Sequence, residues 1–481
     1  MIRIIKTLVW GIVLGFALSV TVAAAQTIPS STSASDSRTA SRSVSSRVEI
    51  SDTPAISLTI PSVPSILTFQ AIPQMPQVAL PAGFSGDSIV AQDFALFQKL
   101  DIGGRFGITF HPHIDVCPAA AAGEATCNSR VITDGRGTPA VQPLPAGYGP
   151  AQFTKAYGVS GTALGTAHPI IAIVDAYDDP NIAADLSTYS STYGIPQLPN
   201  CSGAIASSDV PCFKKVTQTG ATARFPATDA GWSLEISLDV EAAHAMCQNC
   251  SILLVEASSP TYANLAAAVN EAVASGANAV SNSYGGPEFS SETSYDSAYD
   301  HPGVAIVVSA GDAGYGVEYP AASRYVTAVG GTSLYLNANG TYNSEVAWSG
   351  TGSGCSAFES KQPWQTDTGC ARRTVDDVSA DADPNTGAAV YDTVRYAGQH
   401  GWFQVGGTSL ASPLIAATYA LSGALPTAAV ENSLPYLSVS TNLNDVTSGS
   451  NGSCGGSYLC TARTGYDGPT GLGSPKGISA F

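Results

Sequence analysis

Between residues 168 and 309 the chain alternates apolar runs of strand length with longer segments of helical character. Nothing else in the sequence restricts the fold as tightly. His168-Pro-Ile-Ile-Ala-Ile-Val-Asp175 is a continuous apolar run that ends in an acid. Ser251-Ile-Leu-Leu-Val-Glu256, Ala277 to Ser283 and Gly303-Val-Ala-Ile-Val-Val-Ser309 read the same way. Helices are read over Asn181 to Thr192, Trp232 to Met246 and the Ala-rich Tyr262 to Ala274. Strands without polar alternation are buried on both faces. Strands separated by helices pair in parallel, with the helices covering both faces of the sheet. The fold class read here is therefore α/β, and catalytic groups belong at the carboxyl ends of its strands.

The rest of the chain bounds its setting. At 481 residues it is long enough for one large core plus an appended segment. Its net charge of −17 and 12% charged residues exclude a coiled coil and argue against phosphate neutralisation, so no nucleic-acid partner is expected. Arg3 and Lys6 precede an uncharged run from Thr7 to Ala25 that ends Ala23-Ala24-Ala25, the three-part pattern of a secretory signal. Residues 1–25 are read as that signal, its removal leaving no membrane segment. Export places the protein outside the cell or in the periplasm. Residues 26–142 are read as a Ser/Pro-rich, low-complexity N-terminal extension or short propeptide, with nine serines between Ser30 and Ser46. Residues 143–481 are the main domain.

Ten cysteines fall as five near neighbours, Cys117/Cys127, Cys201/Cys212, Cys247/Cys250, Cys355/Cys370 and Cys454/Cys460. An exported chain reads these as local disulfides, although sequence alone leaves the connectivity open. The Cys247/Cys250 spacing has no second pair to complete a zinc site.

Three groups of residues carry chemistry. Gly406-Gly407-Thr408-Ser409 precedes an apolar Ala-rich run. It places Ser409 at a helix N-terminus, where free N–H groups favour an oxyanion. Capping serines are common at such positions, so the motif alone is ambiguous. A serine nucleophile needs a base, yet none of the six histidines has an evident partner, and His244 reads as a packed helical residue. Glu235 and Asp239 lie four apart on one helical face among Leu234, Ile236, Leu238 and Val240. A close carboxyl pair that shares one proton supplies a base and the acid that orients it. Asp312, in Ala310-Gly311-Asp312, ends a strand and is either a turn residue or a hydrogen-bond donor to an oxyanion.

Glu-x-x-x-Asp on a helix, then Ala-Gly-Asp, then Gly-Thr-Ser-x-x-x-Pro resembles the sedolisin, or serine-carboxyl peptidase, family over about Tyr148 to Phe481. The resemblance implies a subtilisin-like fold in which glutamate replaces histidine. By position it implies Ser409 as nucleophile, Glu235 as general base, Asp239 as its orienting acid, Asp312 as the oxyanion acid and Asp175 as a supporting acid. It implies that Ser283, Tyr284 and Gly285 pair with the bound substrate strand. It also implies one structural Ca²⁺ held by Asp445, Asp467 and the carbonyls of Val446, Arg463 and Gly465, hard oxygen ligands for a hard ion. Arg463 stands where the family usually has glycine.

The expected function is a monomeric, secreted, serine-type endopeptidase that cleaves polypeptides through an acyl-enzyme at acidic pH. A carboxylic acid donates to an oxyanion only while protonated, which sets the window at about pH 3–5. The alternatives are a neutral subtilisin-like peptidase with a histidine base and an inactive scaffold on the same fold.

Overall fold

The computed structural model describes residues 89–99, 102–162, 164, 168–423, 430–438 and 440–481. All of them belong to one of the chain's two units, Leu67–Phe481. The signal reading at 1–25 and the Ser-rich run lie outside the described residues. No described helix is long and apolar enough to cross a membrane.

The centre is a sheet of eight strands: β1 (Ile170–Ala176), β2 (Phe213–Thr217), β3 (Ser251–Ala257), β4 (Ala279–Asn282), β5 (Ala305–Ser309), β6 (Thr327–Leu336), β7 (Tyr342–Ala347) and β8 (Val378–Asp381). Their spatial order is β7-β6-β5-β4-β1-β3-β2, with β8 pairing β6. Every pairing is parallel except β6 with β7. Each residue of β1, β3, β4, β5 and β8 is buried, as continuous apolar runs require.

Helices α1 (Ile182–Tyr193), α2 (Ala230–Met246), α3 (Tyr262–Ala274) and α4 (Thr408–Ser422) flank this sheet on both faces. The helix read from Trp232 starts two residues earlier. Asp229 caps it, its carboxylate accepting from the Gly231 and Trp232 amides at 3.0 and 3.1 Å. Residues 231–246 are all buried, so α2 has no solvent face. It packs directly against α4.

Pro413 sits within α4 and removes the N–H that would bond the Ser409 carbonyl. The Ser283 hydroxyl donates to that carbonyl instead, at 3.2 Å. The proline of the Gly-Thr-Ser motif thereby ties the first turn of α4 to the residue after β4.

Two smaller antiparallel sheets adjoin this layer. One runs His113–Asp115, Arg130–Ile132, Gln399–Gly406, Ala388–Tyr396; the other runs Glu318–Tyr319, Tyr284–Pro287, Thr126–Cys127. Residues 113–132 thus hydrogen-bond into the same body as the main sheet. All five local disulfides are formed.

Candidate active site

The packing of α2 on α4 brings the chemistry-bearing residues together. Glu235 and Asp239 project from α2 toward Asp175 on β1. One carboxylate oxygen of each lies within 4.8 Å of the others, and all three side chains are buried. None of their six oxygens accepts a hydrogen bond of ordinary length. Burial first, then the Asp175 charge, pushes Glu235 far above the usual carboxyl range. The Ser129 and Ser409 hydroxyls face it and pull the other way. Asp239 is raised by burial, then by Asp175 and Glu235. Asp175 is pushed up to about 8 by burial. Three carboxyls at this spacing cannot all ionise, so the group holds protons where an exposed acid would not.

Ser409 begins the first turn of α4. Its hydroxyl donates to the Ser283 carbonyl at 3.2 Å. It makes no hydrogen bond to Glu235, unlike the direct Ser–Glu contact expected from the sequence.

Asp312 follows β5. Its Oδ1 accepts from the Thr408 amide at 2.8 Å and the Thr408 hydroxyl at 2.9 Å. Its Oδ2 is buried and has no hydrogen-bond partner. Burial pushes Asp312 up to about 8, against Arg130, whose Nε stands 3.9 Å away. A proton on Oδ2 makes it a donor toward the Ser409 turn. Gly407 closes that turn at φ +103°, where a Cβ would lie 2.3 Å from the Asn128 carbonyl oxygen and 2.5 Å from Asp312 Oδ2. Only glycine fits.

Of the residues assigned to substrate pairing, Tyr284 and Gly285 lie in a short strand and Ser283 immediately precedes it. At Tyr284 and Gly285 the strand pairs with the chain's own Thr126–Cys127, while its other end pairs with Glu318–Tyr319. Residues 128–130 then run past Ser409, Glu235 and Asp312, a placement the sequence did not announce. Glu318 was also missed. It is half-buried, with Oε2 unpaired, and lies against Gly285 and Gly311, where an added Cβ would come within 2.3 and 2.6 Å of its carboxyl group. Burial pushes it up to about 7, and Asn128 pulls it down.

In the C-terminal oxygen set, both acids hydrogen-bond the loop that carries Arg463 and Gly465. Asp445 accepts from the Gly465 amide at 3.0 Å, and Asp467 from the Arg463 amide at 2.7 Å. Asp467 is raised to about 7, by burial first, with Asp445 adding to it. A second all-oxygen group, Asp179, Asp185 and Asp392, is buried with oxygens within 4.8 Å of one another. Such groups suit a hard cation.

A family model described as the subtilase family matches residues 221–455. Kumamolisin of Bacillus sp. (strain MN-32) is 30% identical over 69% of this chain and 63% of its own length. Sedolisin of Pseudomonas sp. (strain 101) is 38% identical over 33% of this chain and 29% of its own. Xanthomonalisin of Xanthomonas sp. (strain T-22) is 33% identical over 33% of this chain and 21% of its own. The chain therefore spans less than two thirds of the length of each of these curated relatives. A solved structure of Pseudomonas sedolisin, a serine-carboxyl proteinase complexed with two molecules of pseudo-iodotyrostatin, matches 69% of this chain and 96% of that one. Its TM-score is 0.56 and its identity 28%.

Fold and site together define a subtilisin-like peptidase architecture. Within it, the chain is a homologue of sedolisin, kumamolisin and xanthomonalisin.

Proposed function

We propose that the protein is a secreted serine-carboxyl endopeptidase that hydrolyses polypeptides at acidic pH. One observation carries the reading: Asp175, Glu235 and Asp239 form a buried carboxyl group beside the Ser409 turn, with Asp312 bonded to Thr408 in that turn. Ser409 attacks the substrate carbonyl, and Glu235 takes the hydroxyl proton and returns it to the leaving amine. Asp239 and Asp175 hold Glu235 in place and share its proton. Protonated Asp312 and the Ser409 amide stabilise the oxyanion.

A histidine base is disfavoured by position. His244 is nine residues beyond Glu235 on α2, about 13 Å along the helix axis, and its Nε2 bonds the Pro196 carbonyl at 2.9 Å.

Asp445, Asp467 and the carbonyls of Val446, Arg463 and Gly465 would hold Ca²⁺. The two neighbouring acids form a hard-oxygen set whose repulsion a cation relieves. The ion would brace the C-terminal loops; no catalytic step passes through it. Residues 1–25 act as the export signal, and the enzyme works as a monomer.

The test is digestion of a denatured protein from pH 2 to 8 by the wild type and Ser409→Ala. Cleavage confined to acid and absent in the variant is expected. A maximum above pH 7 that is lost in His244→Ala overturns the reading.

A further inference from the structure

Three acids outside the catalytic group converge from separate elements. Asp179 stands in the connection from β1 to α1, Asp185 in the first turn of α1, and Asp392 in the strand Ala388–Tyr396. They are 0%, 2% and 0% exposed, and one carboxylate oxygen of each lies within 4.8 Å of the others. Acid clusters occur without ions, so the cluster alone decides nothing. Glu241 is the independent observation. It comes from a fourth element, two residues beyond Asp239 and about 200° around α2. It is 1% exposed, and its Oε1 has no hydrogen-bond partner. Burial first raises it, and the charges of Asp185, Asp392 and Asp179 add to that.

The backbone holds all four carboxylates in place. Asp179 accepts from the Asn181 amide at 2.8 Å, Asp185 from Thr393 at 2.9 Å, Glu241 from Tyr391 at 2.9 Å and Asp392 from Val394 at 2.7 Å. Three of these donors lie at 391–394, where pairing with Gln399–Gly406 loses register after Asp392. Amide–carboxylate bonds favour the charged form. The Asp175–Glu235–Asp239 group has none: its six oxygens lack hydrogen-bond partners. That group suits shared protons, and this one suits a counter-charge. Among the described residues, no ion pair reaches any of the four acids. Lys215 lies beside Asp179 but gives its ammonium to Asp178, the Asp179 carbonyl at 2.8 Å and Glu256 at 3.2 Å. Asp392 Oδ2, like Glu241 Oε1, is buried without a partner.

We propose that Asp179, Asp185, Glu241 and Asp392 bind one Ca²⁺, at a site separate from the C-terminal oxygen set. Carboxylate oxygens on opposite sides of a Ca²⁺ stand about 5 Å apart, which the spacing of the group allows. Affinity at such a site rises with the number of acidic ligands and the rigidity of their frame. Mg²⁺ keeps several waters, which a group closed to solvent does not admit. The ion ties the β1–α1 connection, α1 and the strand Ala388–Tyr396 to the face of α2 opposite Asp239. It braces the helix that carries Glu235 and Asp239 and takes no part in bond breaking. The inference does not depend on the peptidase reading.

The experiment titrates the full chain, freed of metal by a chelator, with CaCl₂ at about pH 8, where protons compete less for the carboxylates. The parent is Asp445→Asn, which removes an acid from the C-terminal set. Calorimetry is expected to find one Ca²⁺ per chain, and the melting temperature should rise by about 5 °C or more with the ion at about a hundredfold excess over its dissociation constant. Adding Asp392→Asn or Glu241→Gln, each checked for folding by circular dichroism, should weaken binding by about a hundredfold or more. Each new carboxamide oxygen still accepts from the backbone amide, and one repelling charge has gone. The metal-free variants should therefore melt no lower than the metal-free parent. A cluster that only braces the fold by hydrogen bonds predicts the reverse: lower melting in the variants and no calcium response in the parent. No Ca²⁺ bound by the parent, or an affinity that neither added change reduces, overturns the inference. Either result leaves Ser409-dependent digestion, read separately in acid, untouched.

Discussion

Arg130 and Asp312 define what a single charge does in this site. Arg130 lies 3.9 Å from Asp312 Oδ2 and also pairs with Asp115 at 2.7 Å. It favours the ionised form of Asp312, the form that repels an oxyanion. Removing it leaves Asp312 protonated to higher pH. In Arg130→Ala the alkaline limb of kcat/KM is therefore expected to move upward by about half a pH unit or more, measured on a peptide substrate. Asp312→Asn keeps a donor that cannot ionise, so its limb should depend only on the Asp175–Glu235–Asp239 group. Glu235→Gln removes the proposed base and should lower kcat by about 10²-fold or more, with the fold unchanged by circular dichroism. Of the residues in this centre, those on α2, α4 and the end of β5 were legible from sequence. Each stands in a regular element or just beyond one, with a motif that gives its spacing. Ser129, Arg130 and Glu318 were not, because chain spacing carries no information about which distant loop a pairing strand selects.

The turn from Gly406–Gly407 into α4 is the element on which the geometry depends. Gly407 at φ +103° leaves no room for a Cβ between the Asn128 carbonyl and Asp312. Gly407→Ala is expected to cost about 2–4 kcal/mol and to abolish activity, read from a denaturant midpoint and a peptide assay. The elements themselves were largely readable. The helix over Tyr262–Ala274 has the read boundaries, and the strand over Ser251–Glu256 extends by one residue. The helix read with Ser409 at its N-terminus runs from Thr408 to Ser422. Its first turn carries the motif. Nothing in residues 113–132 has enough period to reveal that its short strands join the body. Two- and three-residue strands are fixed by their partners, not by their own pattern.

At the scale of the whole molecule, buried acids outnumber buried bases among the described residues. Asp175 and Asp312 reach about 8, Asp392 about 8 and Asp179 about 7, each by burial first. A folded pKa raised above the unfolded value gives stability that is complete below about pH 4 and is lost as pH rises through about 7–8. The melting temperature is expected to be higher at pH 4 than at pH 8 by on the order of 5 °C or more, measured by scanning calorimetry. Chelation at constant pH should lower it further by loosening the Asp445–Asp467 loops. The disulfides carry another consequence. Each closes a loop between cysteines 3 to 15 positions apart, and Cys117–Cys127 falls wholly before residue 128, while the other four fall wholly after it. No disulfide spans the backbone at that point. Were any protease to cut the backbone there, the two pieces would separate on an electrophoresis gel run without any thiol.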